Sequence, residues 1–297
     1  MQADNFMPGH LNRVRDLERH PGGKGINIAM MLGAMGVETL ATGFLGKAPS
    51  RFIQERLHKR NITTNFVHIG GVTRHNYFIV DPINDNRTLI DEEGPIITSE
   101  ELDIFIETYK RLLHRSEIVI IAGSLPRNVQ FKFYCKLLSM ANEKGIMTIL
   151  NTVEDNMLEC MKFHPYLIMP DLRSADGILG IPVEGAENLY RAACSILKKG
   201  TNIAVVTFDG INFLISTPQG CFEASPPEIE IQSRLKTGDG MIAGIVYELS
   251  RGGSVRDAIK TGMACATATA LNLNGNIYSL EDISKHLDNV SVKEVIY

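Results

Sequence analysis

Glu117-Ile118-Val119-Ile120-Ile121-Ala122 sets five apolar residues behind one acid, and Gly123-Ser124-Leu125-Pro126 breaks the run at once. So short a run, rich in β-branched residues, reads as a buried strand, with the glycine-to-proline segment turning away from its end. Upstream, Thr98-Ser99-Glu100-Glu101 matches a capping box and opens an apolar-periodic helix from Leu102 to Leu113. Downstream come a helix from Phe131 to Lys144 and a strand at Thr148 to Leu150. A further strand at Tyr166 to Met169 stops at Pro170, and another spans Asn202 to Thr207. Two short strands around Phe213 and Phe222 flank the turn at Pro218-Gln219-Gly220. Alternation of this kind predicts an α/β fold on a largely parallel sheet.

Two regions lack long helices. Residues 1–20 and 62–95 hold short β-like stretches, among them Thr63 to Ile69, Tyr77 to Val80 and Arg87 to Ile90. They are expected to form a small β-sheet lid on a core made of residues 21–61 and 96–297. Ligands of open α/β sheets sit beyond the carboxyl ends of the strands, where such a lid would close.

The bulk composition narrows the function. The chain has 297 residues, 44% apolar and 22% charged, as soluble globular proteins do. A net charge of −4 argues against a general nucleic-acid binder, which needs a basic face. The five cysteines, Cys135, Cys160, Cys194, Cys221 and Cys265, are widely spaced and odd in number, which predicts reduced thiols. No apolar stretch approaches the roughly 20 residues that span a bilayer, and the first ten residues are too polar for a signal peptide. The expectation is a cytoplasmic protein that binds neither nucleic acid nor membrane.

Two segments carry the candidate chemistry. Pro21-Gly22-Gly23-Lys24-Gly25-Ile26-Asn27 precedes an apolar helix-like run and brings bare backbone close to a polar ligand. Asn27, a polar amide just inside that run, needs a partner, and a hydroxylated ligand would supply one. Lys24 suits an anionic group. Far downstream, Thr237-Gly238-Asp239-Gly240-Met241-Ile242-Ala243-Gly244 puts a carboxylate and glycine amides at a helix start, where amides can hold an anion. Asp239 alone would be read as a plain helix cap. With Gly238 and Gly240 beside it, it suits a base next to a transferring phosphoryl group. Gly43-Phe44-Leu45-Gly46-Lys47-Ala48 only partly matches a P-loop, since its glycine spacing is short and Ala48 replaces the hydroxyl.

These segments, with Asn12-Arg13-Val14, Thr73-Arg74-His75-Asn76 and Gly94-Pro95, resemble the ribokinase-like (PfkB) carbohydrate kinases along almost the whole chain. The nearest subgroup is that of the 1-phosphofructokinases and tagatose-6-phosphate kinases. The resemblance implies a three-layer α/β/α ribokinase-like sheet with a β-sheet lid that can form a homodimer. It implies transfer of the ATP γ-phosphate, with Mg²⁺, to a hydroxyl of a ketohexose phosphate. By the same resemblance Asp239 is the catalytic base and Gly238 lies in the anion hole. Gly22, Gly23, Lys24 and Asn27 form the sugar loop, and Arg74 and Ser124 look towards the sugar phosphate. Thr207, Asp209, Gly210, Lys236 and Thr237 fall on the nucleotide side.

The chain also departs from the family pattern. The opening strand of the family, with its sugar-binding Asp, has no counterpart, which predicts either a truncated sequence or a sheet that begins differently. Lys236-Thr237-Gly238-Asp239 replaces Gly-Ala-Gly-Asp. Asp171-Leu172-Arg173-Ser174 lacks the Glu that supports Mg²⁺, and Phe78 stands where a lysine is expected. Asp209 replaces a glycine and would repel phosphates unless Mg²⁺ or Lys236 offsets it. These changes motivate an alternative: a non-catalytic relative that binds sugar phosphate in a regulatory role.

Overall fold

The structure, a computed structural model, describes residues 1–152, 155–170, 185–207, 209–272 and 279–296. Its first part runs α1 (Lys24–Ala34), β1 (Thr39–Gly46), α2 (Ser50–His58), β2 (Ile62–Ile69), β3 (Asn76–Asp81) and β4 (Asn86–Asp91). Next come α3 (Ser99–Leu113), β5 (Ile118–Gly123), α4 (Lys132–Asn142), β6 (Met147–Thr152), a 3₁₀ segment (Asp155–Phe163) and β7 (Leu167–Ile168). The last part is α5 (Gly185–Lys198), β8 (Ile203–Thr207), β9 (Phe213–Thr217), β10 (Gly220–Ser225), α6 (Thr237–Leu249), α7 (Val255–Ala270), α8 (Leu280–Leu287) and β11 (Ser291–Val295).

Seven strands form the main sheet in the order β11-β10-β9-β8-β7-β6-β5. β5 to β8 are parallel, and β9, β10 and β11 each run antiparallel to the strand before. The sheet is thus parallel only in its middle, because short turns such as Pro218-Gln219-Gly220 return the chain as hairpins without a crossover helix. Side chains leave each strand alternately, so the two faces sort by period two. Ile149, Ile203 and Val205 meet α1, α6 and α7, whereas Leu150, Ala204 and Val206 meet α3, α4 and α5. Three layers follow directly from that alternation.

The expected capping box is present. The Thr98 hydroxyl accepts from the Glu101 amide at 3.2 Å, while the Glu101 carboxylate accepts from the Thr98 amide at 2.8 Å. Within the region expected to form a lid, the strands fall into different sheets. β3 and β4 pair antiparallel, and the N-terminal segment joins them, with Gln2 bridging Val80 and the Ala3 amide bonding the Val80 carbonyl at 3.0 Å. β2, assigned to the lid from sequence, instead pairs in parallel with β1 through the α2 crossover. Its alternation signalled a strand but could not name its partner.

The cysteine reading is corrected too. Cys135 of α4 and Cys160 of the 3₁₀ segment form a disulfide with Cα atoms 4.9 Å apart, a pairing that their separation of 25 residues concealed. Burial pushes the Cys221 thiol up to about 12, so it remains protonated. Among the described residues no helix is long and apolar enough to cross a membrane.

α6 and α7 pack backbone to backbone. A Cβ built on Gly244 would lie 2.5 Å from the Thr261 carbonyl oxygen and 2.6 Å from the Gly262 Cα. Neither atom is a side chain that could swing aside. Gly244→Ala is therefore expected to destabilise the fold by about 3 kcal/mol through overpacking, read as a lower denaturation midpoint. An unchanged midpoint would mean that the helices separate freely.

Candidate active site

The glycine turn and the acidic helix start, 212 residues apart, meet in one pocket. Asn27 Nδ2 donates to Asp239 Oδ2 at 2.8 Å, and both residues are buried. Gly23, at φ 102, takes the left-handed backbone that starts α1. A Cβ on Gly22 or Gly23 would meet nothing within 4 Å, so both line open space where a ligand can approach the backbone. Lys24, in the first turn of α1, donates from Nζ to Asn151 Oδ1 at 3.4 Å.

Burial raises the Asp239 pKa above the ordinary carboxylate value. Lys24, Asn27, Lys236 and Asn151 oppose the rise, in that order, without cancelling it. Among the described residues, two buried side-chain atoms here lack a hydrogen-bond partner: Asn27 Oδ1, an acceptor, and Asn151 Nδ2, a donor. Asn151 lies close enough to Asp239 to help lower its pKa. An unmade buried bond costs about 1–3 kcal/mol. A hydroxyl group, which both donates and accepts, is the natural partner for this pair.

Asn151 escaped the sequence reading. Its signal was a polar residue near the carboxyl end of the buried strand Met147–Thr152, where ligands of such sheets gather.

The start of α6 is suited to an anion. The first amides of a helix have no intrahelical acceptor and, with the dipole, favour an anion. Lys236 precedes them at φ 64, a left-handed conformation that costs a non-glycine residue roughly 1–3 kcal/mol. Burial lowers the Lys236 pKa, and nearby Asp239 partly restores it. A Cβ on Gly238 would lie 2.6 Å from Met169 Cε, so glycine here keeps that wall close.

Thr207, Asp209 and Gly210 stand beside the helix start, held in a tight loop. Thr207 Oγ1 accepts from the Gly210 amide at 2.9 Å and donates to the Asn212 carbonyl at 2.7 Å. Thr237 Oγ1 donates to the carbonyls of Gly210 and Arg234. Asp209 is not the unpaired charge that the sequence implied. Its carboxylate accepts from the Ile211 and Asn212 amides at 2.9 and 2.8 Å and lies 3.4 Å from Arg234 Nη1. Burial alone would raise its pKa, but these partners hold it below the usual value. The offset comes first from the Asn212 and Ile211 amides and the Asn212 side chain, with Arg234 adding to it.

Across the pocket, Arg74 Nη2 donates to Ser124 Oγ at 3.1 Å, placing a guanidinium where β5 ends. The segment Asp171-Leu172-Arg173-Ser174 and Phe208 lie outside the described residues. Among the described residues no group of three His, Cys, Asp or Glu side chains could hold a metal ion by itself.

A buried carboxylate at a glycine-flanked helix start, facing amides suited to hydroxyls, defines a site for sugar chemistry beside an anion. Comparison with known proteins gives the same class. The family model of the pfkB family carbohydrate kinases matches residues 1–282, and the chain belongs to that family. It is a carbohydrate kinase. A D-tagatose-1-phosphate kinase of Bacillus licheniformis is 28% identical over 96% of this chain and 91% of its own length. A 1-phosphofructokinase of Bacillus subtilis is 25% identical over 92% and 88%. Among solved structures, a possible 1-phosphofructokinase of Thermotoga maritima is 30% identical, covers 100% of this chain and 95% of its own, and superposes with a TM-score of 0.90.

The Asp239 environment has a consequence for stability. Because its pKa is raised on folding, its contribution is fully present below the unfolded value and is lost as pH rises through the folded value. Above the unfolded value, folding must either bury this charge or take up a proton, and either course costs free energy that the unfolded chain is spared. Asp239→Asn keeps an oxygen for Asn27 and removes that charge. Its denaturation midpoint should exceed that of the parent at pH 7, and the gap should close as pH falls towards the ordinary aspartate range. A gap independent of pH would show that Asp239 is not ionised under penalty.

Proposed function

We propose that the protein transfers the γ-phosphate of ATP to a hydroxyl of a ketohexose 1-phosphate. The observation that carries this reading is the Asn27–Asp239 hydrogen bond, with the unpartnered Asn27 Oδ1 and Asn151 Nδ2 beside it. Fructose 1-phosphate and tagatose 6-phosphate types were both open from sequence. The two Bacillus relatives are named for substrates phosphorylated at position 1, which favours that acceptor.

Asp239 acts as general base. Its raised pKa brings it nearer to a poised proton acceptor than an exposed carboxylate would be. The acceptor hydroxyl gives its proton to Asp239 as its oxygen forms the bond to the γ-phosphorus. The bond from that phosphorus to the bridging oxygen breaks, and ADP leaves with the electron pair. Gly238 and the other first amides of α6 face the charge spread over the transferring group. Lys236 and Thr237, with the loop of Thr207, Asp209 and Gly210, bound the nucleotide side. Gly22, Gly23, Lys24 and Asn27 hold the sugar, and the Arg74 fork, positioned by Ser124, holds its phosphate. Mg²⁺ suits such a site, since it keeps several waters and binds largely through substrate phosphates with few protein ligands. No observation favours the non-catalytic alternative.

Asp239→Asn should lower kcat by about 10²- to 10⁴-fold and leave sugar-phosphate affinity by calorimetry nearly unchanged. Arg74→Ala should do the reverse, weakening sugar-phosphate binding by roughly 10- to 100-fold, the worth of a charged hydrogen bond, with a smaller effect on kcat. Turnover by Asp239→Asn at the parent rate would refute the assignment.

We also propose a homodimer through the lid, where Tyr77, Leu89 and Ile90 expose apolar surface on the β3–β4 hairpin. Sedimentation should give twice the monomer mass, and Leu89→Lys should halve it. A monomeric parent would end this reading.

A further inference from the structure

Lys236 stands immediately before α6 in a backbone conformation, φ 64 and ψ 1, that glycine adopts freely and lysine does not. Its carbonyl accepts from the Gly240 amide at 2.9 Å and so closes the first turn of the helix. That turn asks only for the carbonyl, which a glycine would supply without strain. The reason for a lysine therefore lies in its side chain.

The side chain is half-buried and lines the same cavity as Gly238, Asp239, Asn27 and Asn151. The buried orphan atoms Asn27 Oδ1 and Asn151 Nδ2 mark that cavity as built for a ligand. Among the described residues the Lys236 ammonium group makes no hydrogen bond and no ion pair. A partly desolvated cation without a partner is costly.

The nearby acids are already served. Asp239 draws more from Lys24 and Asn27 than from Lys236. Asp209 accepts from the Ile211 and Asn212 amides and lies beside Arg234. Lys24, the other lysine near Asp239, donates to Asn151 Oδ1 at 3.4 Å. One cation is thus committed within the protein, and the other awaits an anion.

We propose, on the kinase reading of this site, that Lys236 is a catalytic residue whose ammonium group contacts the γ-phosphate and neutralises charge on it during transfer. It works beside the first amides of α6, which face the same group. The ammonium keeps its proton throughout, since the proton of the acceptor hydroxyl goes to Asp239 and the bond electrons leave with ADP. Burial lowers the Lys236 pKa, and an arriving polyphosphate reverses that shift by favouring the charged form.

Lys236→Gly tests this, because glycine fits φ 64 and keeps every backbone amide. It should lower kcat by about 10²-fold, the worth of one preorganised donor. The denaturation midpoint should stay level or rise, since relieved strain offsets the added freedom of the unfolded chain. Calorimetry without sugar should show ATP affinity weakened by about tenfold, as for a charged hydrogen bond, and ADP affinity unchanged.

Turnover at the parent rate with ATP affinity intact would overturn the proposal. Equal weakening of ATP and ADP would make Lys236 a general nucleotide contact, and a lower midpoint would make it a structural support. Either result overturns the proposal as well. A parent that phosphorylates no ketohexose phosphate would refute the kinase reading by itself, whereas the ATP-over-ADP preference, measured without sugar, reports on Lys236 alone.

Discussion

One hydrogen bond, from Asn27 to Asp239, fixes the geometry on which everything else depends. It ties the start of α1 to the start of α6, its neighbour on the same face of the sheet. Each residue solves a problem for the other. The buried carboxylate would be costly without a donor, and the buried amide would be costly without an acceptor. The pairing consumes only half of the Asn27 amide and leaves its buried oxygen without a partner among the described residues. A polar interaction that is incomplete in the protein alone is a sign of a ligand that completes it. The raised Asp239 pKa follows from the same burial that makes the bond necessary.

Much of this was legible in the residues. The run Ile118 to Ala122 and the strands after it announced an α/β core because buried strands leave short, β-branched runs bounded by turns. The capping box at Thr98 and Glu101 was readable because its reciprocal bonds are local. The meeting of Gly22–Asn27 with Gly238–Asp239 required the family resemblance, since no local rule joins segments 212 residues apart. Partners set by tertiary packing stayed hidden. β2 announced itself as a strand but not as the neighbour of β1. Cys135 and Cys160 gave no spacing signal. The Asp209 side chain looked repulsive because its partners, the Ile211 and Asn212 amides and then Arg234, are set by the loop's conformation.

The proposed nucleotide side departs most from the family pattern, and the structure gives a physical reason why it still holds together. Lys236 takes up a backbone conformation suited to glycine and brings a cation in exchange. Asp209 gives its carboxylate to the amides of its own turn and so stiffens the loop. Thr237 stitches that loop to the helix through two carbonyls. The substituted residues thus hold one another in place, and changing one alone would strain the rest.

The bare contact of Gly244 with the α7 backbone has a mechanical meaning. Two helices locked at that depth cannot slide along one another, so α6 holds its amino end, and with it Asp239, at a constant height above the sheet. Arg74 and residues of the β3–β4 hairpin line the same cavity as Asp239. Fit to reactants of different shape is therefore to be sought among them rather than in the locked helix pair.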